Sequence, residues 1–276
     1  MQFIDTHCHL DAAEFDGIEA ALVQAAQAAG VGRIVAPSVA RANFEAVRQL
    51  CARFPDCAPA YGIHPMYTGS ATPEDLDVLR DYLREHHPVA IGEIGLDFFI
   101  KPHDRARQEY FFAAQLKLAR EFDLPVLLHI RRAQDTVLKH LRQFYRSVGP
   151  STELRTGPST MLRAGIVHAF SGSRQQAEEF IGLGFKLGFG GAMTYPRATR
   201  LRELAATLPD SIVLETDAPD IAPCFLERGA PNKPEYLPRI AQMLTELRGV
   251  TLDEIAAATT ANALSVLPKL TDTYFL

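Results

Sequence analysis

The chain has 276 residues, a formal net charge of −5 at pH 7, 47% hydrophobic and 22% charged residues. That balance describes an ordinary globular protein. It excludes one that coats nucleic acid through a broad basic face, because binding by counterion release needs such a face. The length is near the ~250 residues of a barrel running as one domain.

The opening Met1-Gln2-Phe3-Ile4-Asp5 has no basic run followed by an apolar one, so no secretory signal is expected. No stretch approaches the ~18 consecutive apolar residues of a membrane span. Cys8, Cys51, Cys57 and Cys224 lack short paired spacings. They suggest neither a disulfide framework nor a zinc knuckle, but reduced thiols in a cytoplasmic protein.

Along the chain, short apolar runs predict strands over Phe3–Thr6, Arg33–Ser38, Ala58–Ile63, Val89–Ile94, Pro125–His129, Ala164–His168, Phe185–Phe189 and Ser211–Thr216. Helix-period segments lie between them, among them Gly17–Gly30, Asp104–Phe122, Arg174–Leu183 and Arg200–Leu208. Two more follow the last strand, Lys233–Arg248 and Thr251–Leu267, and Val148–Arg163 reads as a surface loop. Near-continuous apolar strands alternating with amphipathic helices predict a parallel sheet covered on its outer face. Eight such units favour an α/β fold closed into a (β/α)8 TIM barrel, as one domain over residues 1–276. The rival, an open doubly wound sheet, does not account for what stands at the strand ends.

Five of the nine histidines fall there: His7, His9, His64, His129 and His168. Glu93 closes the fourth strand and Asp217 follows the eighth. The C-terminal ends of barrel strands form the face where such enzymes carry their chemistry. One histidine ending a strand is more often a hydrogen-bonded interior residue. His7-Cys8-His9 carries more weight, since alternation puts both imidazoles on one face and leaves Cys8 as a small core residue. Four imidazoles and two carboxylates at one mouth predict a metal centre of His7, His9, Glu93, His129, His168 and Asp217. Imidazole and carboxylate without thiolate suit Mg, Mn, Fe or Zn. Six ligands exceed one tetrahedral site with an open position. Two divalent cations about 3.5–4 Å apart fit better, with Glu93 as the group reaching both.

The segments Asp5-Thr6-His7-Cys8-His9-Leu10, Gly62-Ile63-His64-Pro65, Gly92-Glu93-Ile94-Gly95-Leu96-Asp97-Phe98, Leu128-His129-Ile130-Arg131, His168-Ala169-Phe170-Ser171-Gly172 and Glu215-Thr216-Asp217-Ala218-Pro219 resemble, in order over nearly the whole chain, the TatD-type metal-dependent hydrolases. Thr194-Tyr195-Pro196-Arg197-Ala198 and Asp217-Ala218-Pro219-Asp220 are most similar to the YjjV-like branch. The resemblance implies a barrel of the metallo-dependent hydrolase type and an Mg- or Mn-dependent deoxyribonuclease, commonly a 3′→5′ exonuclease. Carried over by position, His7, His9, Glu93 and Asp217 hold one cation; Glu93, His129 and His168 hold the other. His64 contacts a scissile phosphate, and Asp217 handles the proton of the nucleophilic water. Asp5 and Glu215 orient imidazoles from behind. Arg131, and the cluster Lys101, His103, Arg105 and Arg107, are candidate phosphate contacts, although the cluster also reads as a solvated charged face.

The sequence departs from the family where Asp220 replaces an aromatic residue and Pro231-Asn232 replaces Arg-Asn, which bears on substrate preference. It departs again at Asn262-Ala-Leu-Ser265-Val-Leu267, which bears on docking of the last helix. Expected partners are DNA or another phosphodiester bound locally at the barrel mouth, with no membrane; the sequence leaves the oligomeric state open, a monomer among the options. The alternatives are an amide or ester hydrolase on the same barrel and, more remotely, a non-catalytic metal-binding protein. Many amide-cleaving relatives bridge their metals with a carboxylated lysine ending the fourth strand. Here the position is Glu93, with no lysine before Lys101.

Overall fold

The computed structural model describes residues 2–146 and 162–271. Strands and helices alternate. β1 (Phe3–Asp5), β2 (Val31–Pro37), β3 (Cys57–Tyr61), β4 (Ala90–Asp97), β5 (Val126–Arg131), β6 (Ile166–Val167), β7 (Lys186–Phe189) and β8 (Ile212–Leu214) pair in sequence order, each parallel to the next. The amides of Thr6 and Asp217 donate to Leu214 O and His7 O, and Cys8 bridges Ala218, which brings β8 back to β1. The fold is the expected (β/α)8 barrel.

The helices between strands are α1 (Glu19–Ala28), α2 (Phe44–Arg53), α3 (Pro73–His86), α4 (Arg105–Glu121), α5 (Gln134–Arg146), α6 (Arg174–Gly182) and α7 (Thr199–Thr207). After β8 come α8 (Leu237–Arg248) and α9 (Leu252–Val266). Local chemistry sets their starts. Asp104 accepts from Arg107 N at the head of α4, and Ser173–Gln176 and Thr251–Glu254 form reciprocal caps on α6 and α9, satisfying amides that have no intrahelical acceptor. The segment expected as one helix over Lys233–Arg248 divides into a 3-10 turn (Pro234–Tyr236) and α8. Among the described residues no helix is long and apolar enough to cross a membrane.

One apolar cluster joins Ile4, Val35, Ala58, Leu127, Ile166 and Val213, from strands all round the sheet. Only side chains pointing inward can meet in this way. Ala263, Val266, Leu267 and Leu270 pack into the same cluster and close its lower end. Asn262 docks α9 there, donating to Ile212 O and Asp210 and accepting from Lys186. The outer faces of the strands pack on the helices, with Phe111, Phe112, Phe180 and Phe185 fully buried. β6 and β8 are shorter than the runs that predict them. Their last residues pass beyond the ladder and enter the site instead. The loop expected over Val148–Arg163 lies, as far as residue 161, outside the described residues.

Candidate metal centre

Alternation carries the interior residues upward into the site. Leu127 and His129, Ile166 and His168, and Val213, Glu215 and Asp217 share inward faces two residues apart. His64 follows β3, and Glu93 lies within β4, where the ladder shifts register between Ile91 and Ile94 and the Gly92–Glu93 peptide is cis. β1 ends at Asp5, and the chain then turns so that His7 and His9 reach the mouth while Cys8 stays wholly buried in the core.

Glu93 lies at the centre, and its two oxygens face different groups. Oε2 is 3.2 Å from His7 Nε2 and 3.6 Å from His9 Nε2. Oε1 is 3.0 Å from His129 Nδ1, 3.6 Å from His64 Nε2 and 4.0 Å from His168 Nε2. Asp217 Oδ1 closes the first group, 3.7 Å from both His7 and His9 and 3.4 Å from His168. His168 therefore stands nearer that group than the resemblance implies. Its ring stacks on His7 at 3.7 Å between centroids and is 6.5 Å from His129.

The donor set fits divalent cations. His7 Nε2 and His9 Nε2 approach to 3.2 Å, a contact that a cation accepting both lone pairs relieves. Three overlapping trios, His7–His9–Asp217, His7–Glu93–His168 and His64–Glu93–His129, each gather their donor atoms within 4.8 Å. Imidazole and carboxylate with no thiolate is a borderline-to-hard set.

The charges are arranged accordingly. Burial opposes ionisation of Glu93, but His64, His7 and the hydrogen bonds from His129 and His7 outweigh it and hold the carboxyl well below its usual range. Asp217 is lowered for the same kind of reason, with His168 the leading opposing influence on burial. Burial drives His64 down to about 3. His64 Nδ1 accepts from Met66 N at 3.2 Å. A backbone amide can only donate, so the neutral ring carries its proton on Nε2, facing the site.

Behind these candidate donors, Glu215 Oε1 accepts from Ala169 N at 2.6 Å and stands 3.2 Å from His168 Nδ1. Gly188 makes room for it: a Cβ there would sit 2.2 Å from Glu215 Oε2. Asp5 corrects an expectation, because it touches no imidazole ring. Ile4 belongs to the barrel interior, so Asp5 alternates to the other face. There its carboxylate accepts from Thr216 N, Thr216 Oγ1 and His7 N, tying β1 to β8.

Two residues that stand in quoted segments of the sequence take supporting roles that the sequence did not assign. Asp97, four residues after Glu93 on β4 and so of the same parity, reaches His129 Nε2. Asn232 is fully buried and donates to Thr216 O and Ile221 O, pinning the loop after β8. The Lys101–Arg107 cluster is largely engaged within the fold. Arg107 donates to Thr68 O and Ala71 O, and Arg105 lies over Phe98 with its guanidinium carbon 4.4 Å from the ring centroid. Arg131 is exposed at the rim.

These groups line a cavity of about 890 Å³, within the roughly 300–1,000 Å³ of small-ligand sites. The model of the family described as TatD related DNase matches residues 4–268. The metal-dependent hydrolase YjjV of Escherichia coli K12 is 43% identical over 261 residues, 93% of this chain and 94% of its own. The crystal structure of YjjV, a TatD homologue from the same organism, covers 96% of this chain and 98% of that one at a TM-score of 0.87 and 41% identity. Erwinia tasmaniensis TatD, named a 3′-5′ ssDNA/RNA exonuclease, is 32% identical over 265 residues, 94% of this chain and 97% of its own. With its barrel, its six converging donors and these relatives, the chain belongs to the TatD-related DNase family of metal-dependent hydrolases.

Proposed function

We propose that this protein is a phosphodiesterase that removes nucleotides from the 3′ end of a nucleic-acid strand, using two divalent cations, Mg, Mn or Zn. The observation that carries this reading is the division of Glu93, with Oε2 toward His7 and His9 and Oε1 toward His129. One carboxylate turned to two imidazole groups suits a pair of neighbouring cations. His7, His9, Glu93 and Asp217 would hold one, and Glu93 and His129 the other, with His168 between them, its Nε2 3.4 Å from Asp217 Oδ1 and 4.0 Å from Glu93 Oε1. When bound, such cations supply Lewis acidity, making water acidic enough to yield its proton to a weak base and offsetting charge on phosphoryl oxygens. The name of the Erwinia exonuclease supports the choice of substrate.

The chain's own groups then have distinct tasks. Asp217, kept ionised by His168 against the effect of burial, accepts the proton of the attacking water. It returns that proton to the 3′-oxygen as the bond from phosphorus to that oxygen breaks. His64, neutral with its Nε2 proton toward the site, donates to a phosphoryl oxygen whose charge grows in the transition state. Glu215 keeps the His168 ring turned with Nε2 inward.

The test strips the protein of metal and reloads it with Mg, Mn or Zn on end-labelled single-stranded DNA, with Glu93→Ala as control. A chromogenic phosphodiester and a dihydroorotate-like cyclic amide are run alongside. Metal-dependent release of nucleotides, absent in the variant, is expected. Fully metallated protein that spares both phosphodiesters and opens the cyclic amide would transfer the assignment to amide hydrolysis.

A further inference from the structure

Beside the candidate metal centre is a second pocket of about 410 Å³, bounded by Arg131 at the end of β5 and Arg132 just after it, Arg200 in the first turn of α7, Phe99 after β4, and the Ser171–Ser173 turn before α6. It shares Arg131 and Ser171 with the larger cavity, so the two lie side by side. Resting on the phosphodiesterase reading, we infer that this pocket holds a non-scissile phosphate of the same strand, one or more nucleotides from the bond being cut.

The state of its arginines points to an anion. Arg41, Arg48, Arg84 and Arg163 are each matched with a carboxylate, of Asp75, Glu45, Asp81 and Asp123, and other arginines without one, such as Arg107 and Arg248, donate to backbone carbonyls. Among the described residues, Arg131, Arg132 and Arg200 form no ion pair. Three unneutralised guanidiniums together cost self-repulsion, on a protein whose net charge is −5, and a bound anion offsets that cost. They are also held in place. The guanidinium carbons of Arg131 and Arg132 lie 3.8 Å and 4.6 Å from the centroid of the Phe99 ring, and Arg200 donates to Ser171 O at 3.0 Å. Arg132 has a left-handed backbone, φ 54°, a conformation that costs a non-glycine residue energy and is retained where the surroundings require it. Planar forks fixed in this way suit phosphate oxygens better than a flexible ammonium does.

The occupant is one strand and not a free small ester, because a mononucleotide at the metals has no further phosphate to offer. Phe99 is 41% exposed, and its loop is linked to the centre through Asp97, which accepts from the amides of Phe99 and Ile100 as well as reaching His129. A phosphate in the pocket therefore sets the strand's register against the metals. Small diesters lack this anchor.

The experiment measures binding, so it reads the pocket whether or not the DNA is cut. Fluorescein-labelled hexathymidylate with cleavage-resistant phosphorothioate linkages is titrated by anisotropy into the full-length, metal-loaded protein. A second series has one linkage at a time replaced by a neutral methylphosphonate. The variants are Arg132→Ala, Arg200→Ala and their double, with thermal melting to verify the fold. Neutralising one internal linkage should weaken wild-type binding roughly tenfold, as expected for a charge-assisted contact, and cost the double variant nothing further. Each lost contact should also lower the slope of log affinity against log salt by about 0.7. Equal losses at every linkage in wild type and variants, or unchanged salt slopes, would overturn the subsite. Cleavage of unmodified DNA by the same wild-type preparation is scored separately, and its absence would count against the phosphodiesterase reading alone.

Discussion

Asp97 Oδ2 lies 3.0 Å from His129 Nε2, across the imidazole from Glu93, whose Oε1 lies 3.0 Å from Nδ1. Burial works against ionisation of Asp97, but the hydrogen bond from His129 and those from the amides of Phe99 and Ile100 prevail and bring its pKa to about 2. As a carboxylate it keeps a proton on Nε2 and turns Nδ1 toward the metal side. Asp97→Asn should preserve the fold by circular dichroism and reduce affinity for the second cation by about 10–100-fold, the usual cost of losing a carboxylate behind a ligand histidine. Calorimetric titration showing two sites of unaltered affinity would remove Asp97 from this role.

Asp217 has φ 58°, in the left-handed region that asparagine tolerates better than most residues. Asp217→Asn should therefore fold with a normal melting temperature. It removes the proton acceptor, so kcat on single-stranded DNA should fall by about 10²–10⁴-fold, the usual span for a positioned acid or base. Near-normal turnover by a variant shown to be fully metallated would falsify the assignment.

Asn232 satisfies two carbonyls, the buried Thr216 O at 2.7 Å and the partly buried Ile221 O at 3.3 Å. Asn232→Ala leaves them without that donor, which should cost about 1–3 kcal/mol. The loop after β8 lines the cavity through Pro219, Asp220 and Ile221, so KM for DNA should rise more than kcat falls. A melting temperature and KM both matching wild type would contradict this.

Gly188→Ala would drive a methyl group into Glu215, whose Oε2 lies 2.2 Å from the point that carbon would occupy. Overpacking of this kind costs about 1–3 kcal/mol, and the displaced carboxylate no longer backs His168. Chemical denaturation should show the loss, and metal titration a weaker site. Unchanged values for both would mean that the barrel yields at this point more readily than its packing indicates.

The cysteines give a prediction in pH. Cys224 is exposed, whereas Cys57 is buried, and its thiol is pushed up to about 12, first by burial and then by the charge of Asp56. The thiolate is the reactive form. At pH 8 iodoacetamide should label Cys224 and spare Cys57, and the native-state rate at Cys57 should climb about tenfold per pH unit up to about 12. In the unfolded chain the thiol ionises near 9.0. The folded form thus holds the extra proton, and stability falls as pH rises above 9. Mass spectrometry finding Cys57 labelled as fast as Cys224 at pH 8 would refute this.

Much of the architecture is legible along the chain, because it rests on local periodicities. Apolar runs of period two and amphipathic stretches of period 3.6 identify eight strand-and-helix units, and the histidines and carboxylates at the strand ends mark the mouth. What fails is parity where a strand stops pairing. Asp5 reads as a neighbour of the ligands if β1 continues, but the strand ends there and the chain turns, so the carboxylate bonds to Thr216 instead. The role of Asp97 is hidden for a related reason. Its partner His129 is 32 residues away, and the two meet only because β4 lies beside β5 in one register, with Gly95 opposite His129.

By itself, then, the order of residues determined which side chains are available for metal chemistry and that a parallel barrel presents them together. Tertiary structure decided their roles: that Glu93 turns one oxygen to each group of imidazoles, that His64 carries its proton inward, and that Arg200 joins the distant pair Arg131 and Arg132 around one pocket. The physical reason is that periodicity is a property of neighbours in the chain. Hydrogen-bond partnership, tautomer and unneutralised charge depend on what the closed barrel brings near.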